Sequence, residues 1–197
     1  MNDRASVNDR VLVIGDGPTG LSAALLLAKT GFDVQVLGGD ESPVHKAHLN
    51  NYLGQHGTPG PDFASGAREH AERYGARLLT ATVERVEVGE PFRAVTDQGT
   101  HEADWLVLAM GFDDDLVETL GVETTDEGVR VDHNGRTSRE RVYAGGAVVR
   151  GTKSQVAASV GYGAAIAIDI LSRVRGKPSH DYDVMPARGK ETRARAG

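Results

Sequence analysis

The apolar run Val11-Leu12-Val13-Ile14 passes directly into Gly15-Asp16-Gly17-Pro18-Thr19-Gly20, and that into the apolar stretch Leu21–Ala28. This is a strand, a tight turn and a helix in one block. The first glycine permits the turn, and the second lets the backbone approach a pyrophosphate. The third lets the helix close on the strand. The N–H groups and partial positive charge of the helix start then favour phosphate. A bare G-x-G-x-x-G is weak evidence, whereas one set between a strand and a helix is much stronger. The block therefore predicts dinucleotide binding, with an unliganded structural turn as the alternative.

The bulk properties bound what else the chain can be. Its 197 residues suit one domain with tails. A formal net charge of -6 argues against a general nucleic-acid binder, which carries a basic footprint. There is no cysteine, which removes thiol nucleophiles, disulfide exchange, iron–sulfur clusters and thiolate zinc sites. Met1–Arg10 is polar and charged, unlike a secretory h-region. No uninterrupted run of about 18 apolar residues offers a membrane span. The expectation is a cytoplasmic protein with no nucleic-acid or membrane partner.

Periodicity and turn residues give the element order. Residues 1–9 read as a disordered leader, 10–175 as one domain and 176–197 as a flexible tail. Arg10–Ile14, Leu21–Thr30 and Asp33–Leu37 form a βαβ unit with a parallel strand pair, Gly31 stopping the helix. Gly38–Pro61 is a long loop, of the kind that is usually functional or disordered. A helix over Asp62–Tyr74, with Asp62 as N-cap, precedes a strand over Ala76–Thr80. Thr82–Val88, Phe92–Thr96 and Thr100–Ala103 have the spacing of a three-stranded antiparallel meander. Trp105–Ala109 is a buried strand, Asp113–Leu120 a helical turn, and Val129–Val131 with Asn134-Gly135 a small hairpin. Arg141–Ala144 is the last strand and Thr152–Val174 a long helix. This order predicts an α/β fold: a central parallel sheet with helices on one side and the meander on the other.

The layout and its residues resemble the flavin-binding domain of the two-dinucleotide-fold flavoproteins, above all low-molecular-weight thioredoxin reductases and ferredoxin–NADP reductases of that type. The resemblance covers about residues 10–174. It rests on residues 11–21, Asn51-Tyr52-Leu53-Gly54, the meander, Ala109-Met110-Gly111, Val142-Tyr143-Ala144-Gly145-Gly146-Ala147, and the helix from Ser154-Gln155-Val156-Ala157. It implies the three-layer FAD/NAD(P)-binding, Rossmann-like fold, with FAD as cofactor. By that resemblance Gly15, Gly17, Pro18, Thr19 and Gly20 hold the pyrophosphate, and Gly38 and Gly39 lie where the ribose is bound. Val83 lies by the adenine and Asn51 beside the flavin. Ala109, Gly111, Gly146 and Ala147 pass close to the cofactor, and Gln155 and Val156 open a helix aimed at the flavin.

Three departures stand out. The NAD(P)H-binding domain that the family inserts before the closing flavin motifs is missing. So is the Cys-x-x-Cys pair that the insert carries, which excludes thioredoxin reduction by the usual mechanism. The ribose carboxylate at the end of the second strand falls at Gly38, and the aspartate of the closing Ala-Gly-Asp falls at Ala147. Losing one such hydrogen bond costs about 0.5–1.5 kcal/mol, or up to about 3 kcal/mol if a charged or buried partner is stranded.

Other residues carry weaker signals. Asp40 and Glu41 are candidates to replace the ribose carboxylate. His45, His48 and His56 have spacing open to metal, nucleotide contact or plain surface, and no metal is expected. Asp113-Asp114-Asp115 reads as a capped helix start, Arg150 and Lys153 as surface charge or an anion lure, and Trp105 as core. Gly161, Gly163 and the alanines after them are expected to let the last helix pack on the sheet.

The leading reading is a stand-alone FAD-binding oxidoreductase or electron-transfer flavoprotein without dithiol chemistry, and no catalytic acid or base is identifiable. Electrons would come from diffusing NAD(P)H, a redox partner protein or a small substrate. Family members are often dimers, so a homodimer is also an expectation. A degenerate, non-catalytic nucleotide-binding module and a single-fold NAD(H)-binding protein remain open.

Overall fold

The computed structural model describes residues 9–111, 113–181 and 183. Most of the leader and the end of the tail therefore lie outside the described residues. The first apolar run forms β1 (Arg10–Ile14), and the glycine turn leads into α1 (Pro18–Lys29). The helix starts at Pro18 rather than Leu21. Proline's fixed φ suits the first helical position, where its missing N–H would have had no partner.

After β2 (Asp33–Gly38), the expected long loop holds more order than its composition suggests. A 3₁₀ turn spans Pro43–Lys46, and β3 (His48–Leu49) pairs with β4 (Thr58–Pro59). α2 (Gly60–Arg73) begins before Asp62, which lies in its first turn instead of capping it. There its carboxylate still meets the positive end of the helix.

β5 (Arg77–Thr80) precedes the meander of β6 (Val83–Glu87), β7 (Phe92–Thr96) and β8 (Gly99–Ala103). Then come β9 (Trp105–Leu108) and α3 (Asp114–Leu120), where the Asp113 carboxylate accepts from the Leu116 N–H at 3.0 Å. The small hairpin joins β10 (Thr124–Thr125) to β11 (Gly128–Val129), earlier in the chain than the expected pairing around Asn134-Gly135. Asn134-Gly135 forms a separate turn, closed by Asp132, which accepts from the N–H groups of Asn134 and Arg136 at 2.9 Å each. β12 (Val142–Ala144) leads to α4 (Ala147–Arg150) and α5 (Val156–Arg175). The helix expected from Thr152 thus begins at Val156, and a further one-turn helix, α4, precedes it and ends at Gly151, whose φ is 52.

The main sheet has the order β12-β9-β1-β2-β5, and every pairing is parallel. Alternating residues serve two cores. Val11, Val13, Val34, Val36, Val107 and Tyr143 face α1, α2 and α5. Leu12, Ile14, Leu37, Leu106, Leu108 and Ala144 face the meander, through Val86, Phe92 and Ala94, and α3. Both faces are covered, which is why these strands read as continuous apolar runs.

α5 is the one described helix long and apolar enough to cross a membrane, with a mean hydropathy of 1.3. In this fold its Ile166, Ala167, Ile170 and Leu171 are buried in the core. Its close approach is to α1 and not to the sheet: a Cβ on Gly163 would meet the Thr19 carbonyl oxygen, with Ala23 N at 2.8 Å. Gly161, by contrast, has open space around it. Trp105 is a core residue, 5 % exposed, with its ring centroid 6.2 Å from that of Tyr143.

Candidate functional site

The chain runs from β1 to β2 on one side of the sheet and returns through β9 on the other. The crevice at the carboxyl ends of such strands is where open α/β sheets bind ligands. A cleft of about 800 Å³ opens there. Gly15, Gly17, Pro18, Thr19, Gly38, Gly39, Asn51, Val83, Ala109, Gly111, Ala147, Gln155 and Val156 all line it. Gly20 and Gly146 do not; they keep the backbone close behind it. A Cβ on Gly20 would collide with the Gly15 carbonyl oxygen, and one on Gly146 would lie 2.5 Å from Thr19 Oγ1.

Gly15 sets the turn. Its φ is 108, and a Cβ there would lie 2.5 Å from the Ala109 carbonyl oxygen. The first intrahelical bond runs from Leu21 N–H to Gly17 C=O at 2.9 Å. The N–H groups of Thr19 and Gly20 precede that ladder and have no intrahelical acceptor. On the opposite wall, Ser154, Gln155, Val156 and Ser159 bring the start of α5 to the cleft. Asn51 Nδ2 donates to Gln155 Oε1 at 3.0 Å, joining the loop after β3 to that helix start. A separate cavity of about 510 Å³, between Gly89–Phe92 and Ser138–Arg141, contains none of these residues.

The second position of the glycine turn holds a feature the motif alone does not reveal. The Asp16 carboxylate lines the cleft, with its side chain 8 % exposed. Its Oδ2 accepts from Arg68 Nη1 at 2.6 Å and from the Asp40 N–H at 2.9 Å. The sequence signal was available in part, because an acid inside an anion-binding turn needs a compensating cation. Which cation depends on how α2 docks, and that is not written locally.

The remaining candidates fall into place around this pair. Asp40 is turned to His45 Nε2 at 2.9 Å and to Arg68 at 3.6 Å, while Glu41 lines the cleft as an exposed loop residue. His48 Nδ1 contacts Asn50 Oδ1 at 3.2 Å. Among the described residues no three His, Cys, Asp or Glu side chains converge as a metal site. Lys153 is paired with Glu127 and holds that carboxyl below its usual range, and Arg150 Nη1 reaches Tyr162 OH at 3.4 Å. Lys153 is thus paired, whereas the Arg150 contact is to a neutral hydroxyl, which leaves the guanidinium charged.

A parallel sheet with a glycine turn at its switch point, helices on one face and a meander on the other defines the dinucleotide-binding fold of the thioredoxin-reductase type. The chain belongs to the pyridine nucleotide-disulphide oxidoreductase family, whose sequence model matches residues 9–116 and 61–163. It is 36% identical over 120 residues to the bifunctional thioredoxin reductase/thioredoxin of Mycobacterium leprae, covering 56% of this chain and 26% of that protein. It is 28% identical over 109 residues to glucosaminate ammonia-lyase of Pseudomonas fluorescens, covering 53% and 34%. The chain thus spans roughly a quarter to a third of the length of these relatives. The crystal structure of an atypical thioredoxin reductase from Desulfovibrio vulgaris Hildenborough superposes with a TM-score of 0.78 at 19% identity, covering 86% of this chain and 99% of that one. At that identity the likeness is one of fold.

Proposed function

We propose that this chain is an FAD-binding oxidoreductase or electron-transfer domain that works without a dithiol of its own. One observation carries the reading: the glycine turn, the end of β2, the meander and the start of α5 line a single cleft. The family membership supports it. In this reading Gly15, Gly17, Pro18, Thr19 and Gly20 serve the pyrophosphate, and Gly38, Gly39 and Val83 the adenylate half. Asn51, Ala109, Gly111, Gly146, Ala147, Gln155 and Val156 serve the flavin half.

Bound FAD would supply the electron-transfer chemistry, and the chain would bind, orient and polarise it. Negative charge beside the first turn of α5 is stabilised by about 0.3–1 kcal/mol. Ala147 offers no polar side chain, and the lost hydrogen bond lowers affinity by roughly ten- to hundredfold. That loss leaves room for useful binding.

Electrons must reach the cleft from outside this fold. Between β9 and β12 the chain contains only α3 and a two-residue-stranded hairpin among its described elements, with no second dinucleotide domain. Diffusing NAD(P)H, a redox partner protein or a small substrate would fill that role. With no cysteine in these 197 residues, any thiol–disulphide step would use sulfur from outside this sequence.

The test is the absorption spectrum of the purified protein, alone and after adding FAD, and then with anaerobic NADPH or NADH. Flavin bands that bleach on reduction are the expected result. A colourless protein that ignores FAD would overturn the reading in favour of a non-catalytic module. Calorimetric binding of NAD but not FAD would favour a single-fold NAD(H)-binding protein.

A further inference from the structure

We infer that Asp16, held by Arg68, is the group that recognises the adenosine ribose hydroxyls of the bound nucleotide, replacing a carboxylate at the end of β2. The inference rests on the nucleotide-binding reading above. In βαβ dinucleotide sites an acid about 20 residues beyond the glycines takes the ribose 2′-hydroxyl. Here that place is Gly38, the last residue of β2. A Cβ built on Gly38 would lie 2.6 Å from Asp16 Oδ1 and 2.7 Å from Oδ2. The Asp16 carboxylate therefore stands where a side chain at position 38 would begin. The acid has moved from one loop to the neighbouring one, and Gly38 is the space it needs.

The hydrogen bonds of the carboxylate agree. Asp16 Oδ2 is committed to Arg68 Nη1 and the Asp40 N–H. Oδ1 takes no hydrogen bond among the described residues, and it is not a buried unsatisfied atom, so it remains an acceptor open to a ligand. Arg68 also answers the obvious objection. A lone carboxylate in a phosphate-binding turn would repel the pyrophosphate, whereas a carboxylate paired with a guanidinium at 2.6 Å presents little net charge. Of the alternatives, Asp40 is not among the residues lining the cleft and its Oδ1 faces His45 and Arg68, and Glu41 lines the cleft as an exposed loop residue with no partner among the described residues to orient it.

The arrangement also sets specificity. A ribose hydroxyl can donate to Oδ1, but an ionised 2′-phosphate presents only acceptor oxygens to the same acceptor. Removing that carboxylate would free Arg68, the residue type that accommodates a 2′-phosphate.

The test titrates the full apo chain by calorimetry with ADP, 2′-deoxy-ADP and adenosine 2′,5′-bisphosphate, and with FAD in parallel. Wild type should prefer ADP to each of the other two nucleotides by about tenfold or more. Asp16→Ala should bring ADP and 2′-deoxy-ADP to within about twofold and tighten the bisphosphate. Gly38→Glu alone collides with Asp16. Combined with Asp16→Gly it returns the acid to β2 and should restore the preference for ADP, a readout that survives even if Asp16→Ala fails to fold.

An unchanged ADP preference in folded Asp16→Ala overturns the inference, as does a double variant that binds ADP without preference. Wild type that binds FAD but does not distinguish ADP from 2′-deoxy-ADP overturns it while leaving the flavin reading intact. Wild type that binds neither FAD nor ADP overturns both.

Discussion

Asp169 is an acid on α5 that stays ionised although its residue is only 8 % exposed. Burial opposes the charge, but Arg136 and Tyr143 together outweigh it and hold the carboxyl below its ordinary 3.8. Arg136 makes a two-pronged contact at 2.6 Å and 2.6 Å, and Tyr143 OH donates at 2.6 Å. Burial, with the same hydrogen bond, pushes the Tyr143 phenol up to about 12. Linkage fixes the sign for stability. A carboxylate whose pKa is lower folded than unfolded stabilises the fold above its unfolded value, and that contribution is lost as pH falls through the folded value. Asp169→Asn should therefore cost about 1–3 kcal/mol near neutrality. It should also flatten the loss of stability on acidification below about pH 4. Urea denaturation of both proteins across that range checks it. A parallel acid limb in the variant would show that this carboxylate is not a source of the pH dependence.

Two glycines on the same helix should answer the same substitution with opposite signs. Gly163 faces α1, where a Cβ would strike the Thr19 carbonyl oxygen and come within 2.7 Å of Ser22 Cβ. Backbone cannot yield there, so Gly163→Ala should destabilise by about 1–3 kcal/mol or more. Gly161 has nothing within 4 Å of a Cβ, so Gly161→Ala should stabilise by about 0.5–1 kcal/mol through helix propensity. Thermal melts of the two variants check the pair, and equal signs would contradict the α1–α5 packing. That contrast also marks where sequence reasoning stops. Strand identity was readable, because β1 and β9 are buried on both faces and so show unbroken apolar runs. The meander was readable from its turns. The small residues of α5 pointed to tight packing, but not to α1 as the partner, since any close neighbour would select them. Helix starts were missed for local reasons: Gly17 and Pro59 stand where the polar caps that usually announce a start would be. The cleft-lining residues near the glycines were legible as motif positions. The Asp16–Arg68 pair was not, because it joins the first turn to a helix some fifty residues later.

For the whole molecule, the decisive fact is that the cleft is assembled from distant parts of the chain. Gly15, Val83 and Val156 meet at one cavity, and Asn51 is tied to Gln155 across it at 3.0 Å. Unfolding separates all of these, so a ligand filling the cleft binds the folded state alone and stabilises it by mass action. At a free FAD concentration of about 100 Kd the gain is about 2.7 kcal/mol. For a chain of 197 residues this corresponds to a rise in Tm of about 5–10 °C. On the proposed placement, FMN, which carries the flavin but no adenylate, would use the α5 side of the cleft but not Asp16, Gly38, Gly39 or Val83. At the same concentration its shift should therefore be much smaller. Differential scanning calorimetry of the apo chain with each ligand measures both. Equal shifts would mean that the adenylate half of the cleft contributes nothing to binding.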